Sequence, residues 1–184
     1  MFKFEFFKYL NDLPGQFGSG SVKRGGPVDN LAGVAEALRV RAAYAVFTSV
    51  VLGIMKDKAA YSSRQLFNEV YQQDQLTFTQ FHLAYYNVWS ATVYIQQADI
   101  KCANLKKHLE ALITLFGLTE LSKDSAPLFE CGYFQPGDHT KVIEAIKQLT
   151  AQLRPQYIPL VEAFDIPDFV LNSSIGNSYG DIYE

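Results

Sequence analysis

The stretch "CANLKKHLEALITLFGLTEL" constrains the fold of this chain more than any other. Its apolar residues Cys102, Leu105, Leu109, Leu112, Ile113 and Phe116 recur at spacings of three and four, the period of an α-helix. A half-buried strand would alternate with period two, and beyond Phe2, Phe4 and Phe6 nothing in the chain does so convincingly. Gly117 stands just past the stripe, where a helix-ending glycine belongs. The stripe predicts a helix from about Ile100 that stops near Gly117.

The same period runs along the rest. Asp29 or Asn30 can cap a long helix carrying Leu31, Val34, Leu38, Ala43, Phe47, Val50 and Ile54. Its end is expected among Lys56–Lys58, where cations suit the negative end of the helix dipole. Ser62 or Ser63 can cap a short piece with Leu66, Val70 and Tyr71. Thr79 is expected to open the next long helix, with Phe81, Tyr85, Val88 and Ile95 on one side. "SAPLFECG" reads as a further turn or two, and Asp138 or His139 starts a helix through Val142, Ile146, Leu149 and Leu153. Pro155 should break that helix, and Pro167 suits the first position of a short one into the tail. There is no internal repeat of about 20–50 residues. The expected fold is all-α: a helical bundle of about four long helices with an extended C-terminal segment.

Composition narrows the function classes. The 184 residues suffice for one domain with a sizeable core. Sixteen basic against nineteen acidic side chains, with no basic run longer than two residues, disfavour nucleic acid, which demands a basic face. The longest apolar run, Ala42–Met55, is shorter than the ~20 residues of a membrane span and reads as a buried helix. "MFKFEFFKYL" is too short and too charged for a signal peptide, yet too apolar for a free arm, so something must cover it. "NDLPGQFGSGSVKRGGP" then reads as a flexible connection. Cys102 and Cys131 are expected to be reduced and buried.

No motif for catalysis emerges. His82, His108 and His139 lack partners at metal-ligand spacing, so no metal is expected. There is no GxSxG, and Cys131 in "FECGYF" fits no nucleophile pattern. Asp165 and Asp168 could act as an acid–base pair, but two carboxylates at a helix start are normally caps. The glycines of "GSGSVKRGG", like Gly176 and Gly180, lack the preceding strand that a dinucleotide loop requires.

The ending carries a resemblance. "RPQYIPLVEAFDIPDFVLNSSIGNSYGDIYE" resembles the close of the second C-terminal helical domain of acyl-CoA oxidases, typically L-V-D-A-F-D-F-x-D-x-x-L-x-S-x-L-G-R-Y-D-G-N-V-Y-E. Leu160, Val161, Ala163, Phe164, Asp165, Asp168, Leu171, Ser173, Gly176, Gly180, Tyr183 and Glu184 match in order, and "LKKHLEALITLFGLTEL" is similar to an upstream family helix. Asn177-Ser178-Tyr179 replace the usual Arg-Tyr-Asp, and Asp181 the usual Asn, so any role of that arginine is lost. Family members continue past Tyr-Glu, often to a peroxisomal Ser-Lys-Leu, whereas this sequence stops at Glu184.

The resemblance implies residues 1–27 as the end of a preceding helix plus a Gly-rich connection, and 28–184 as the C-terminal helical bundle domain. It also implies a parent enzyme that uses FAD to oxidise acyl-CoA to 2-enoyl-CoA in fatty-acid β-oxidation, with flavin domain and catalytic base lying before this region. This chain alone is then expected to bind no cofactor and to hold no catalytic residue. Its part would be packing and dimerisation against the remainder of the oxidase, through Phe164, Asp165, Asp168, Gly176, Tyr179, Gly180 and Tyr183. The implied location is peroxisomal. The alternative is an oxidase-derived structural subunit of a larger, possibly mitochondrial, assembly without enzymatic activity.

Overall fold

The structure, a computed structural model, describes residues 5–18, 22–26, 28–171 and 173. It divides into two compact units, Met1–Thr150 and Ala151–Glu184, and every regular element among the described residues is helical.

The first unit begins with a 3₁₀ turn, Glu5–Leu10, and a short helix α1 (Leu13–Phe17). Asp12 caps α1 by accepting the Gly15 N–H at 3.1 Å. Helix α2 (Leu31–Val46) is capped by Asn30, whose Oδ1 accepts the Gly33 N–H at 2.9 Å. It runs on through wide π turns (Phe47–Ile54) into α3 (Met55–Asp57), close to the expected end. This continuous helix, Leu31–Asp57, is by length and composition apolar enough to cross a membrane. In this fold its first half is the bundle's central core helix, with Val34, Ala37, Leu38 and Ala42 at 0% exposure. The Ala42–Met55 stretch, expected to be a buried helix, is buried only in part: Leu52 and Met55 are exposed.

Ser62 and Gln65 form a reciprocal capping box at the start of α4 (Ser63–Gln65), which continues as π turns over Leu66–Val70. Helix α5 (Gln72–Gln97) starts well before Thr79. The Gln-rich lead lacks an apolar stripe, yet glutamine is a good helix former, and Gln75 N–H bonds Tyr71 C=O at 3.0 Å to start the ladder. Then follow α6 (Ala103–Lys123), α7 (Ala126–Glu130) and α8 (Asp138–Leu153). Helices α2, α5 and α6 pack against one another and bury Val34, Leu38, Val88, Leu118 and Leu121 completely. Each such side chain contributes about 1.5–3 kcal/mol.

Helix α6 departs from expectation twice. Gly117 does not end it but lies inside it, buried. A Cβ there would collide with Val34 Cγ1 and crowd Val88, so the glycine serves close approach of three helices rather than a turn. The buried face is Ala111, Thr114, Gly117, Leu118 and Leu121. Leu105, Leu112 and Phe116 of the predicted stripe are exposed, as is Cys102; only Cys131 is a buried cysteine.

Among the described residues, apolar side chains of the N-terminal segment are covered by this unit's own bundle. Tyr9, Leu13 and Phe17 are buried, and the Phe7 ring stacks on His82 at 4.8 Å.

The second unit is short. Pro155 breaks the helix as expected: a 3₁₀ turn (Arg154–Gln156) precedes α9 (Tyr157–Glu162) and α10 (Asp168–Leu171).

Candidate functional site

The predicted interface residues fall in this second unit. Phe164 is 76% exposed. Asp165 takes a left-handed φ of 49° while its N–H bonds Glu162 C=O at 2.9 Å, turning the chain out of α9. Asp168 opens α10, where a carboxylate suits the positive helix end. Gly176, Tyr179, Gly180 and Tyr183 lie outside the described residues. Tyr157, Ile158, Val161, Ile166, Phe169 and Val170 in the same unit are also exposed, Phe169 at 83%. The sequence carries them as large apolar residues interrupted by Glu162, Asp165 and Asp168. On the first unit, Leu105, Leu112 and Phe116 of α6 form another exposed apolar row. Large exposed apolar patches mark surfaces built to be covered.

The polar groups inside the first unit are structural. Arg41 is 1% exposed; its Nη1 donates to the carbonyls of Glu120 (2.6 Å) and Asp124 (3.0 Å) at the end of α6, and its guanidinium lies 4.3 Å over the Phe81 ring. A cation at a helix C-terminus meets the negative dipole end and unbonded carbonyls. Burial pulls the Arg41 pKa down, and Glu120 and Asp124 partly oppose it. Tyr9 Oη and His82 Nδ1 are 2.7 Å apart, and burial lowers the His82 pKa. His139 Nδ1 lies 3.1 Å from Ser125 Oγ. That hydroxyl already donates to Leu121 C=O at 2.7 Å, so His139 meets it as a donor, the reverse of a general base. No cluster of three metal-ligating side chains occurs among the described residues.

Two cavities lie within the first unit. One of about 420 Å³ is lined by Arg24, Lys141, Asp29, Asp138 and Glu144 among others. Both cations engage Asp138, at 3.9 and 2.8 Å, so a pyrophosphate there would face surplus carboxylates. Arg24, Lys141 and the backbone amide of Gln135 hold the Asp138 carboxylate below its ordinary pKa, Lys141 most strongly. Another cavity, about 320 Å³ beside Phe17, is lined mainly by apolar and aromatic side chains.

The chain is a helical bundle with apolar rows facing outward, and comparison with known proteins gives its family. The acyl-CoA oxidase family model matches residues 30–184. Acyl-coenzyme A oxidase 3 of Yarrowia lipolytica is 29% identical over 128 residues, 69% of this chain and 18% of that protein. Peroxisomal acyl-coenzyme A oxidase 1 of Phascolarctos cinereus is 27% identical over 180 residues, 96% of this chain and 27% of that protein. The crystal structure of acyl-CoA oxidase 3 from Yarrowia lipolytica superimposes with a TM-score of 0.80 at 25% identity, covering 97% of this chain and 25% of that one. That of oxidase 1, at 21% identity and a TM-score of 0.82, shares the fold over 99% of this chain and 26% of that one. The chain thus spans about a quarter or less of the relatives' length. It belongs to the acyl-CoA oxidase family.

Proposed function

We propose that this chain is the C-terminal helical domain of a flavin-dependent acyl-CoA oxidase, whose role is packing and dimerisation and which does not turn over alone. The observation that carries the reading is the outward apolar surface: Leu105, Leu112 and Phe116 on α6, and Val161, Phe164 and Phe169 in the second unit. A single chain gains nothing from exposing such rows, whereas an interface buries them. In the parent enzyme a bound flavin would supply the redox chemistry by which acyl-CoA is oxidised to 2-enoyl-CoA at the expense of O₂. This chain's residues keep that surface rigid: Arg41 ties α2 to the end of α6, and Gly117 draws α6 against α2 and α5. Relatives bearing the name peroxisomal support a peroxisomal location.

The test is to purify the chain with its partners, then measure flavin absorbance and acyl-CoA-dependent H₂O₂ with and without them. Recovery of an oxidase chain, with turnover only in its presence, is expected. Turnover by this chain alone would refute the assignment, as would recovery of a non-oxidase assembly, which would make it a structural subunit.

A further inference from the structure

Helix α5 turns one face to solvent, and that face carries no charge. From Gln75 to Gln97 there is no Asp, Glu, Lys or Arg, where the chain's 19% charged share would place about four. The inner side, with Phe81, Ala84, Tyr85 and Val88 buried, packs on α2 and α6. Nearly opposite, Leu76, Leu83 and Tyr94 are 54%, 52% and 70% exposed. Gln80, Asn87, a half-buried Ser90 and Gln97 fill the intervals. The row thus steps by four and three residues from Leu76 to Gln97, the repeat of a helix–helix seam.

The missing charge says what such a row is built for. The solvent face of a long helix normally carries charged side chains, whereas the core of an interface is depleted of them and keeps aromatics. The other long helices follow the first rule: Glu36, Lys107 and Lys147 stand exposed on α2, α6 and α8.

The polar members of the row say what covers it. Amides and hydroxyls both donate and accept, so a row of them is complementary to its own copy, while a row of one charge sign would repel itself. The side chains of Gln80, Asn87, Tyr94 and Gln97 make no hydrogen bond among the described residues, which leaves those groups for a partner. Asn87 lies eleven residues after Leu76 and ten before Gln97. At the middle of the row it meets its own counterpart whether two such helices run parallel or antiparallel. A paired asparagine in a seam also fixes the register.

From this arrangement we infer that the outer row of α5 is a self-association surface. It pairs with the same row of a second copy of this chain about a twofold axis, the two Asn87 side chains facing each other. This contact deepens the proposed dimerisation and rests on that reading.

Sedimentation velocity on the full chain reads the pairing with no oxidase partner present. At micromolar concentration the parent is expected to run at twice its 20.7 kDa mass. Asn87→Glu and Asn87→Lys each set like charges face to face and should weaken pairing at least about a hundredfold. Mixed in equal amounts, the two variants should regain the dimer, which also shows that each is folded. Gln96→Glu adds the same charge nine residues on, at the opposite side of the helix, and should leave the dimer unchanged. A monomeric parent would overturn the inference, including one whose row an added oxidase chain covers instead. So would Asn87→Glu pairing as the parent does, Gln96→Glu losing the dimer, or the mixture staying monomeric. The oxidase reading fails separately, by loss of the partner chain while the dimer persists.

Discussion

The two faces of α6 invert the usual rule. The inner face carries Ala111, Thr114 and Gly117 beside Leu118 and Leu121, whereas the outer face shows Leu105, Leu112 and Phe116 to solvent. Close helix contact favours small residues, because a missing Cβ lets Val34 and Val88 reach the α6 backbone. Bulky side chains on the far side then have nothing in the described residues to bury them. Apolar spacing reports that a helix exists and that two surfaces want covering. It does not report which surface is covered from within the chain.

The contrast can be broken from the inside first. Leu121→Ala removes a side chain with 0% exposure and should cost about 3–4 kcal/mol, read as a lowered urea midpoint at constant slope. A loss under about 1 kcal/mol would mean that the inner face is not the core. Gly117→Val forces a branched side chain into Val34 and should cost about 2 kcal/mol by the same titration. A loss under about 0.5 kcal/mol would mean that Gly117 does not lie against Val34.

A pH series tests the N-terminal segment's share of the interior. Burial, then Tyr85, pushes the Tyr9 phenol well above its ordinary pKa. Above roughly pH 10 the unfolded chain ionises this tyrosine while the folded chain keeps it neutral. The unfolded state then binds fewer protons, so stability present below that pH is lost as pH rises. Tyr9→Phe should cost about 1 kcal/mol at neutral pH and flatten this alkaline decline. Arg41, lowered by burial, acts in the opposite direction in both proteins and cancels in their difference. An equally steep decline in the variant would place Tyr9 outside the interior. The smallest effect belongs to the outer face: Leu112→Ser with Phe116→Ser should change the isolated chain's stability by no more than about 0.5 kcal/mol per site. The same pair should abolish binding to an oxidase partner in a pull-down, which ties the outer face to the proposed interface.

Much of this was readable before the structure. Asn30 and Ser62 were recognisable as caps because a short side-chain oxygen beside an apolar run can bond the orphan amides of the first turn. Pro155 was recognisable as a break because it has no amide to give. Thr79 misled because the glutamines before it show no stripe, and propensity alone is a weak guide. Gly117 misled because a C-terminal glycine and a helix-contact glycine look identical in one dimension. In the second unit, Ile158, Val161 and Phe164 keep helical spacing, but spacing alone does not say that they stay exposed.

The sequence by itself therefore determined the helical class, the main caps and the family, because period, cap and motif are properties of neighbours along the chain. Only the tertiary structure decided that Arg41 is buried against the end of α6, that Tyr9, Leu13 and Phe17 join the core, and that Leu105, Leu112 and Phe116 of the predicted stripe face out. Each of those depends on surfaces dozens of residues apart meeting in space, and no local pattern encodes which of two apolar faces will find its partner first.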